Sequence, residues 1–241
     1  MYGMYGYGYG YGFDPTIILV LIGVALSLWA QGRVNSTFSR YSRVRSMTGM
    51  TGAEAARRLL NAQGIYDVTV RHVSGRLTDH YDPRTKTVNL SQSVYGATSV
   101  AAIGVAAHEC GHAMQDNEGY APLRFRSALV PAANFGSKLA WPLILLGLVF
   151  GGLGSPLVEI GILMFSLAVL FQLVTLPVEY NASARAVRLL DSQGILAGEE
   201  VSGTRKVLNA AALTYVAAAA TSILQLLRLI ILFGGRNRRD N

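Results

Sequence analysis

The stretch AAIGVAAHECGH, residues 101–112, decides how the rest of the chain is interpreted. It ends in His-Glu-x-x-His and lies within an Ala-rich segment, residues 99–115, that predicts a buried helix. Because residues i and i+4 share one helix face, His108 and His112 can both reach a single Zn²⁺. Glu109 is rotated away from the metal and is placed to act as the general base on a water molecule.

A motif this short arises by chance in roughly one chain in a hundred of this length, so its surroundings must support it. The chain has 4 histidines, and His108 and His112 are two of them. They lie beside an apolar Ala/Val/Ile run, where ionisable side chains need a reason to be present. The alternative is a pair of helix-surface histidines with a solvated glutamate.

A catalytic zinc takes three protein ligands, so one more is needed. His72, His80 and the acidic residues are the available side chains. Glu179 is favoured by its position, because it follows an apolar run and lies on the predicted helix VEYNASARAVRLL. Ala182 and Ala186 give this helix a smooth face that can pack against the motif helix. The alternative for Glu179 is an interfacial carboxylate at a helix end.

The composition indicates a membrane protein. Hydrophobic residues make up 51% of the chain and charged residues 15%, whereas soluble domains carry about 25% charged residues. The apolar residues collect in four runs: 16–30, 139–153, 157–176 and 207–233. We therefore predict a mainly α-helical integral membrane protein with three or four transmembrane helices in a lipid bilayer. Whether residues 207–233 cross fully stays open.

The charge pattern predicts the orientation in the membrane. The net charge is +7, and the cations flank apolar runs without the interleaved aromatics typical of nucleic-acid binding, so no nucleic-acid partner is expected. No Lys or Arg precedes the first run, whereas four arginines follow it between residues 33 and 45. The positive-inside rule then places residues 31–138 and 177–206 in the cytoplasm. All three predicted ligands thereby lie on one face of the membrane.

The remaining segments predict the parts around the motif helix. Thr51 and Glu54 match a capping box that begins a helix. Residues 67–70 and 87–90 alternate as strands do, and residues 79–84 read as a turn, so we predict a small antiparallel sheet. The stretch 86–91 could be an edge strand that pairs with an extended peptide. Residues 120–136 predict a linker with one short helix.

Three further features complete the sequence picture. Residues 1–13 form a Gly/Tyr-rich tail that we predict to be disordered, and residues 14–241 a single membrane-embedded domain. Cys110 is the single cysteine, which excludes an intrachain disulfide, and is interpreted as a small buried thiol. Arg228, near the end of the last apolar run, is interpreted as a side chain that snorkels to the interface.

Four blocks of sequence resemble the YugP-like family of bacterial membrane zinc metallopeptidases. They are LTDHYDPRTK (77–86), AAIGVAAHECGH (101–112), GYAPLRFRSALVPAANFGS (119–137) and LFQLVTLPVEYNASARA (170–186). The resemblance extends over about residues 14–235. It implies a zincin-like (gluzincin) catalytic core with glutamate as third zinc ligand, in the bacterial cytoplasmic membrane.

The site is similar, more distantly, to that of the HtpX-like membrane proteases. In those proteins an Asp often follows the third ligand by four residues and supports a ligand histidine. The corresponding residue here is Ser183, whose hydroxyl is a weaker partner for a histidine than a carboxylate. A transition-state oxyanion also needs a donor besides the zinc, and Arg185, His80 and Tyr180 are candidates for this role.

The sequence therefore predicts a zinc-dependent endopeptidase with a peptide or membrane-protein substrate. Zinc would activate a water, and Glu109 would serve as general base. The alternatives are a catalytically silent metal-binding membrane scaffold or adaptor, and a zinc-handling protein. All three interpretations share His108, His112 and Glu179, but only the protease needs Glu109. The oligomeric state stays open.

Overall fold

A computed structural model describes residues 14–152 and 155–234. The predicted Gly/Tyr tail and the three arginines after residue 234 lie outside the described residues. The helices are α1 (Ile17–Tyr41), α2 (Gly52–Ala62), α3 (Gln92–Tyr95), α4 (Val100–Asn117), α5 (Ala121–Gly151), α6 (Pro156–Ser192) and α7 (Glu199–Phe233). The strands are β1 (Thr69–Val73), β2 (His80–Asp82) and β3 (Thr87–Ser91).

Four helices of the described residues are long and apolar enough to cross a membrane: α1, α5, α6 and α7. Helix α7 contains the fourth apolar run. Between 11% and 28% of the residues in their most apolar stretches are buried, so most of these side chains face outward. Apolar side chains facing outward along such helices are typical of contact with lipid. The fold is therefore that of a mainly α-helical multi-pass membrane protein, as predicted.

Helices α1 and α7 form an antiparallel pair that is joined by polar contacts. The Thr221 hydroxyl donates to the carbonyl oxygen of Gly23 at 3.1 Å. Gly23 permits this approach, because a Cβ there would lie 2.8 Å from the Thr221 methyl group. Near the other end, the Arg228 guanidinium donates to Asp14 at 2.9 Å and to Thr16 at 3.1 Å. Arg228 is thus paired within the protein with two residues near the start of α1.

Helices α5 and α6 pack along each other, and α6 also packs against α7. The predicted linker at residues 120–136 is wrong, because α5 runs unbroken through this segment. Pro122 lies in the first turn, where a helix needs no N–H donor. Pro131 and Pro142 lie inside the helix, which its packing on α6 stabilises despite the lost hydrogen bonds. Helix α6 likewise continues past Pro177 to Ser192.

The largest buried cluster lies mostly outside the apolar runs and surrounds α4. Helix α2 begins with the predicted capping box, in which the Thr51 hydroxyl accepts from the Glu54 N–H and the Glu54 carboxylate accepts from the Thr51 N–H. Helix α4 packs against α2, α6 and α7 and is buried on almost every side. Gly111 is essential to this packing, since a Cβ there would lie 2.6 Å from the carbonyl oxygen of Ala182 on α6. The small residues of α4 thus bring the motif helix against α6.

The sheet is mixed, whereas the sequence predicted an antiparallel sheet. Its order is β1-β3-β2, with β1 parallel to β3 and β2 antiparallel to β3. The chain passes from β1 to the far edge, forms β2, and returns through a tight turn as the central strand β3. Residues 80–82 of the predicted turn are therefore a strand, which is too short for alternation to reveal. Because β3 is central, the prediction of an edge strand at 86–91 is also wrong.

Candidate metal centre

Helices α4 and α6 bring His108, His112 and Glu179 together. The Glu179 Oε2 atom lies 3.3 Å from Nε2 of His108 and 3.6 Å from Nε2 of His112. The three donor atoms all lie within 4.8 Å of one another. His112 and Glu179 are buried, and the two imidazole rings meet edge to face with centroids 4.7 Å apart. Side chains from two helices that are distant in the sequence thus form one compact group of two nitrogens and one oxygen.

The distances from Glu179 Oε2 to the two imidazole Nε2 atoms are close to those between ligands of a tetrahedral metal. Zinc holds nitrogen and carboxylate ligands at about 2.0–2.2 Å, which places neighbouring ligand atoms about 3.4 Å apart. Glu179 Oε2 is buried and accepts no hydrogen bond within the described residues. A buried carboxylate oxygen without a partner is costly unless a cation compensates it. The donor set is one that Zn²⁺ prefers.

The electrostatics of the centre also favour a cation. Burial alone lowers the pKa of His112, but the nearby carboxylates of Glu179 and Glu109 outweigh burial and raise the pKa. Two buried carboxylates therefore create a negative potential at the imidazoles. A divalent cation at this position would neutralise that potential, so that neither imidazole would need to be protonated.

His112 is oriented by an anchored amide. Its Nδ1 lies 3.0 Å from Oε1 of Gln115, one turn later on α4. The Gln115 amide nitrogen donates to the Val178 carbonyl and to Asn181 Oδ1, each at 2.9 Å. Because these donors fix the amide, its oxygen faces His112 and the Nδ1 atom carries the proton. The Nε2 atom of His112 is then unprotonated and faces Glu179, as binding of a metal would require.

His108 is oriented by a single hydroxyl group. Its Nδ1 lies 3.1 Å from Oγ of Ser183, which is one turn after Glu179 on α6. Ser183 thus contacts the imidazole of His108 from the same helix that carries Glu179. Unlike an anchored amide, a hydroxyl can rotate and can donate or accept.

Glu109 borders the space in front of the metal ligands. Its side chain is buried and lines both cavities that reach the centre. Its carboxylate makes no hydrogen bond within the described residues, so both oxygens are available to a water or a substrate. Glu109 does not belong to the group of three metal donors, which agrees with the rotation expected for the residue after the first histidine.

Two cavities meet at this centre. The first has a volume of about 280 Å³ and lies between the β2 region and α5, with Tyr81, Leu123 and Val130 on its walls. The second has a volume of about 160 Å³ and is lined by apolar residues of α1, α4 and α7 together with the polar side chains of the centre. Asp79 lines both cavities. Burial raises its pKa, while hydrogen bonds from the Ser91 N–H and hydroxyl oppose that rise.

Of the predicted oxyanion donors, His80 alone lines the larger cavity. Both of its ring nitrogens are engaged. Nδ1 lies 2.9 Å from the Thr78 carbonyl and therefore carries the proton, and Nε2 accepts from the Asn89 amide at 3.2 Å. In this arrangement His80 has no free N–H for a substrate oxygen. Its contacts instead stabilise the β2 region beside the cavity.

Arg185 and Tyr180 do not line the larger cavity. Arg185 donates to Asn181 at 2.7 Å and to Glu118 at 2.6 Å, which supports the residue that anchors Gln115. Tyr180 lines a separate groove between α1, α6 and α7. Neither side chain reaches the space beside the predicted zinc ligands.

Three residues at the centre were missed by the sequence analysis. Gln115 follows His112 at i+3 on the same helix face, a spacing that could have identified it. Arg126 lines the larger cavity, and its Nη1 lies 3.7 Å from Glu179 Oε1. Tyr215 lines both cavities from α7. No local pattern marks Arg126, whereas the phenol of Tyr215 within an Ala-rich run was a usable signal.

Cys110, between the two histidines, takes no part in the group of metal donors. Its thiol is fully buried and donates to the carbonyl oxygen of Ala56 at 3.6 Å. Burial and the nearby charge of Glu109 raise its pKa, so the thiol stays protonated and inert. The interpretation as a small buried thiol is confirmed.

Comparison with known proteins gives two matches. The model of the family described as "Putative neutral zinc metallopeptidase" matches residues 16–234. The chain is 50% identical over 224 residues to "Putative membrane protease YugP" of Bacillus subtilis (strain 168), covering 93% of this chain and 98% of that relative. No solved structure matches the chain.

Proposed function

This chain belongs to that zinc metallopeptidase family, and we propose that it is a zinc-dependent endopeptidase acting on membrane or membrane-proximal proteins. The relative from Bacillus subtilis carries the description of a membrane protease. His108, His112 and Glu179 would hold the zinc, and Glu109 would be the general base. The observation that carries the proposal is the buried, unpartnered Oε2 atom of Glu179 between two imidazole Nε2 atoms.

The residues around the metal suit hydrolysis of an amide. Zinc, when bound, lowers the pKa of a water toward ~7 and polarises the substrate carbonyl. The Glu109 carboxylate takes the proton of the attacking water as oxygen adds to the carbonyl carbon. Glu109 then passes that proton to the amide nitrogen, and the C–N bond breaks to give a carboxylic acid and an amine. Both freely available oxygens of Glu109 support this exchange.

Two donors bordering the larger cavity are assigned to the developing oxyanion. Arg126 offers a guanidinium near Glu179, and the Arg126 Nε atom is buried without a partner within the described residues. Tyr215 offers a neutral hydroxyl from α7. Donors aimed at the position where negative charge develops lower the barrier most. We therefore propose Arg126 and Tyr215 as the oxyanion donors. They take the place of the residues suggested by the sequence, which are His80, Arg185 and Tyr180.

The substrate is proposed to bind as an extended peptide along β2. This strand is at the edge of the sheet, with β3 on one side, and His80 and Tyr81 of this strand line the larger cavity. An exposed strand edge offers backbone donors and acceptors to an added strand. The cavity sits next to helices of the membrane bundle, which favours substrates held at the membrane. We propose that the site faces the cytoplasm, because four arginines follow the first span.

Glu109→Gln tests the proposed function. The full chain is purified in detergent, its zinc content is measured, and cleavage of casein and of a peptide pool is followed. A glutamine side chain keeps the shape of the glutamate but cannot take a proton, so we expect wild-type zinc content and a loss of cleavage of at least ~10²-fold. Glu199→Gln, at an exposed acid at the start of α7, is the matched control and should cleave like wild type.

Several results would contradict the proposal. Stoichiometric zinc in the wild-type protein without cleavage of any peptide would favour a metal-binding scaffold or a zinc-handling protein. Cleavage by Glu109→Gln at the wild-type rate would remove Glu109 as general base. Tight stoichiometric zinc in Glu179→Ala would remove Glu179 as third ligand.

A further inference from the structure

A groove with cationic walls opens between α1 and α7, separate from the larger cavity. Its volume is about 680 Å³, and Tyr180 of α6 contributes to its lining. Arg33 and Arg40 reach it from α1, and Lys206 reaches it from α7. Small polar side chains complete this part of the groove: Ser36, Thr37 and Asn209. We call these residues the cationic groove.

No acidic side chain lines the cationic groove within the described residues. None of Arg33, Arg40 and Lys206 forms an ion pair there, although Arg40 lies over the Tyr41 ring at 5.7 Å. Elsewhere in the described chain, Arg126, Arg185 and Arg228 each lie within ion-pair distance of a carboxylate. Three cations around one cavity without a counter-charge create a positive potential that attracts an anion.

The groove lies at the height of a membrane surface. Asp14 and Arg228 form an ion pair near one end of the α1–α7 pair. Arg33 lies 19 positions after Asp14, about 28 Å along a helix that rises 1.5 Å per residue. The hydrocarbon core of a bilayer is about 30 Å thick, so polar groups at these two levels match its two boundaries. The second boundary is where lipid phosphates are found.

The groove also has an apolar end toward the bilayer. Ala210 and Leu213 line it on α7, and α7 runs from there toward its contact with Gly23 in the bilayer part of α1. Exposed Leu28 and Trp29 continue the apolar surface on α1. A ligand that fits the whole groove therefore has an anionic head with hydroxyl or ester oxygens and an apolar tail. An anionic phospholipid has this composition.

We propose that the cationic groove binds the headgroup of an anionic phospholipid. Arg33 and Arg40 donate paired N–H groups to the phosphate, and Lys206 adds a third charge. Topology signals alone require cations near the end of a span, but they do not require cations of two distant segments to share one cavity. A lipid in this position links α1 to α7 and contacts Tyr180, the neighbour of the predicted ligand Glu179.

The test compares two lipids and inorganic phosphate on the full chain purified in neutral detergent. The melting temperature and the binding of added lipid are measured in micelles doped with phosphatidylglycerol or with phosphatidylcholine. We expect phosphatidylglycerol to bind at least ten-fold more tightly and to raise the melting temperature. Inorganic phosphate at the same concentration should have little effect, because it lacks the tail.

The triple variant Arg33→Gln, Arg40→Gln and Lys206→Gln removes all three cations of the cationic groove. Each cation near an anionic membrane surface contributes roughly five-fold in affinity, so we expect a loss of at least ten-fold for phosphatidylglycerol. Arg71→Gln with Arg76→Gln and Arg84→Gln removes three exposed cations elsewhere and should bind lipid like wild type. Lys206→Gln alone should give a smaller loss, and its wild-type zinc content verifies that it folds.

Three results would overturn the proposal. Equal binding of the two lipids would show that no headgroup charge is recognised. Equal stabilisation by inorganic phosphate would show a site for free anions. Wild-type binding of phosphatidylglycerol by both the triple variant and Lys206→Gln would show that the groove itself does not bind the lipid. An equal loss of phosphatidylglycerol binding in the control triple variant would show the same.

Discussion

His112 is oriented by an amide that α6 anchors twice, whereas His108 is oriented by one hydroxyl on the same helix. On the first side, Gln115 bonds to Val178 and Asn181, and Arg185 supports Asn181. On the second side, Ser183 is the hydrogen-bond partner of His108 Nδ1. We call these the His112 side and the His108 side of the centre.

The difference concerns how far the orientation of each histidine is fixed without a metal. An amide with both donors engaged cannot turn, so the His112 imidazole has one favoured tautomer and orientation. The Ser183 hydroxyl can turn and so holds the His108 imidazole less firmly. Partners of this kind set the basicity and the orientation of metal-binding histidines. The His112 side should therefore contribute more to zinc affinity than the His108 side.

Gly111→Ala should disturb the His112 side and the His108 side at once, and it should have the largest effect on zinc binding of the three variants. The added methyl group would lie 2.6 Å from the Ala182 carbonyl oxygen, a backbone atom that cannot turn aside. Helix α4 must then move away from α6, which separates His108 and His112 from Glu179. We expect zinc binding to be lost and the free energy of unfolding to fall by about 1–3 kcal/mol.

Zinc content and thermal unfolding in detergent would measure this effect. Gly96→Ala is the matched control, because a Cβ at Gly96 meets nothing within 4 Å and its φ is −98°. Wild-type zinc content in Gly111→Ala would mean that the close approach of α4 and α6 does not set the distance between the ligands.

Gln115→Leu removes the hydrogen-bond partner of His112 and leaves the His108 side unchanged. Leucine has a similar volume but cannot accept the Nδ1–H of His112 or bond to Asn181. We expect zinc affinity to fall by about 10–100-fold, the usual cost of losing such a partner. Competition with a chromophoric chelator would measure the affinity, with the exposed Gln63→Leu as control. Wild-type affinity would show that the amide chain does not prepare His112 for the metal.

Ser183→Ala breaks the His108 side and should have the smallest effect of the three. It removes one hydrogen bond from a rotatable group, so we expect zinc affinity to fall by less than about ten-fold. Ser137→Ala, on an exposed face of α5, is the control in the same chelator assay. A larger loss in Ser183→Ala than in Gln115→Leu would reverse the comparison between the two sides.

The features that local patterns encode were predictable from the sequence. The capping box begins α2, the i, i+4 histidines share a face of α4, and Ala182 lies against Gly111 of the motif helix. The position of Glu179 after an apolar run was enough to place it beside the histidines. These predictions depend on helix geometry, which the sequence expresses within a few residues.

The features that depend on tertiary contacts were not predictable. Strand β2 has 3 residues, too few for a periodic signal, and its position at the sheet edge depends on the crossover from β1. The prolines of α5 suggested a linker, but packing on α6 outweighs their cost. Arg126 and Tyr215 reach the centre only because α5 and α7 pass beside it. Their roles depend on helices that are distant from the motif in sequence.

Helix α6 has a consequence for which peptide bonds can be cut. It is one uninterrupted helix from Pro156 to Ser192. Glu179 lies 23 positions after Pro156, about 35 Å at 1.5 Å per residue, a little more than the ~30 Å of a hydrocarbon core. Because the helix continues through Pro177 to Glu179, the proposed metal centre would lie at a fixed height just above the lipid. If the proposed function holds, we expect the enzyme to select peptide bonds by their distance from the membrane as well as by their side chains.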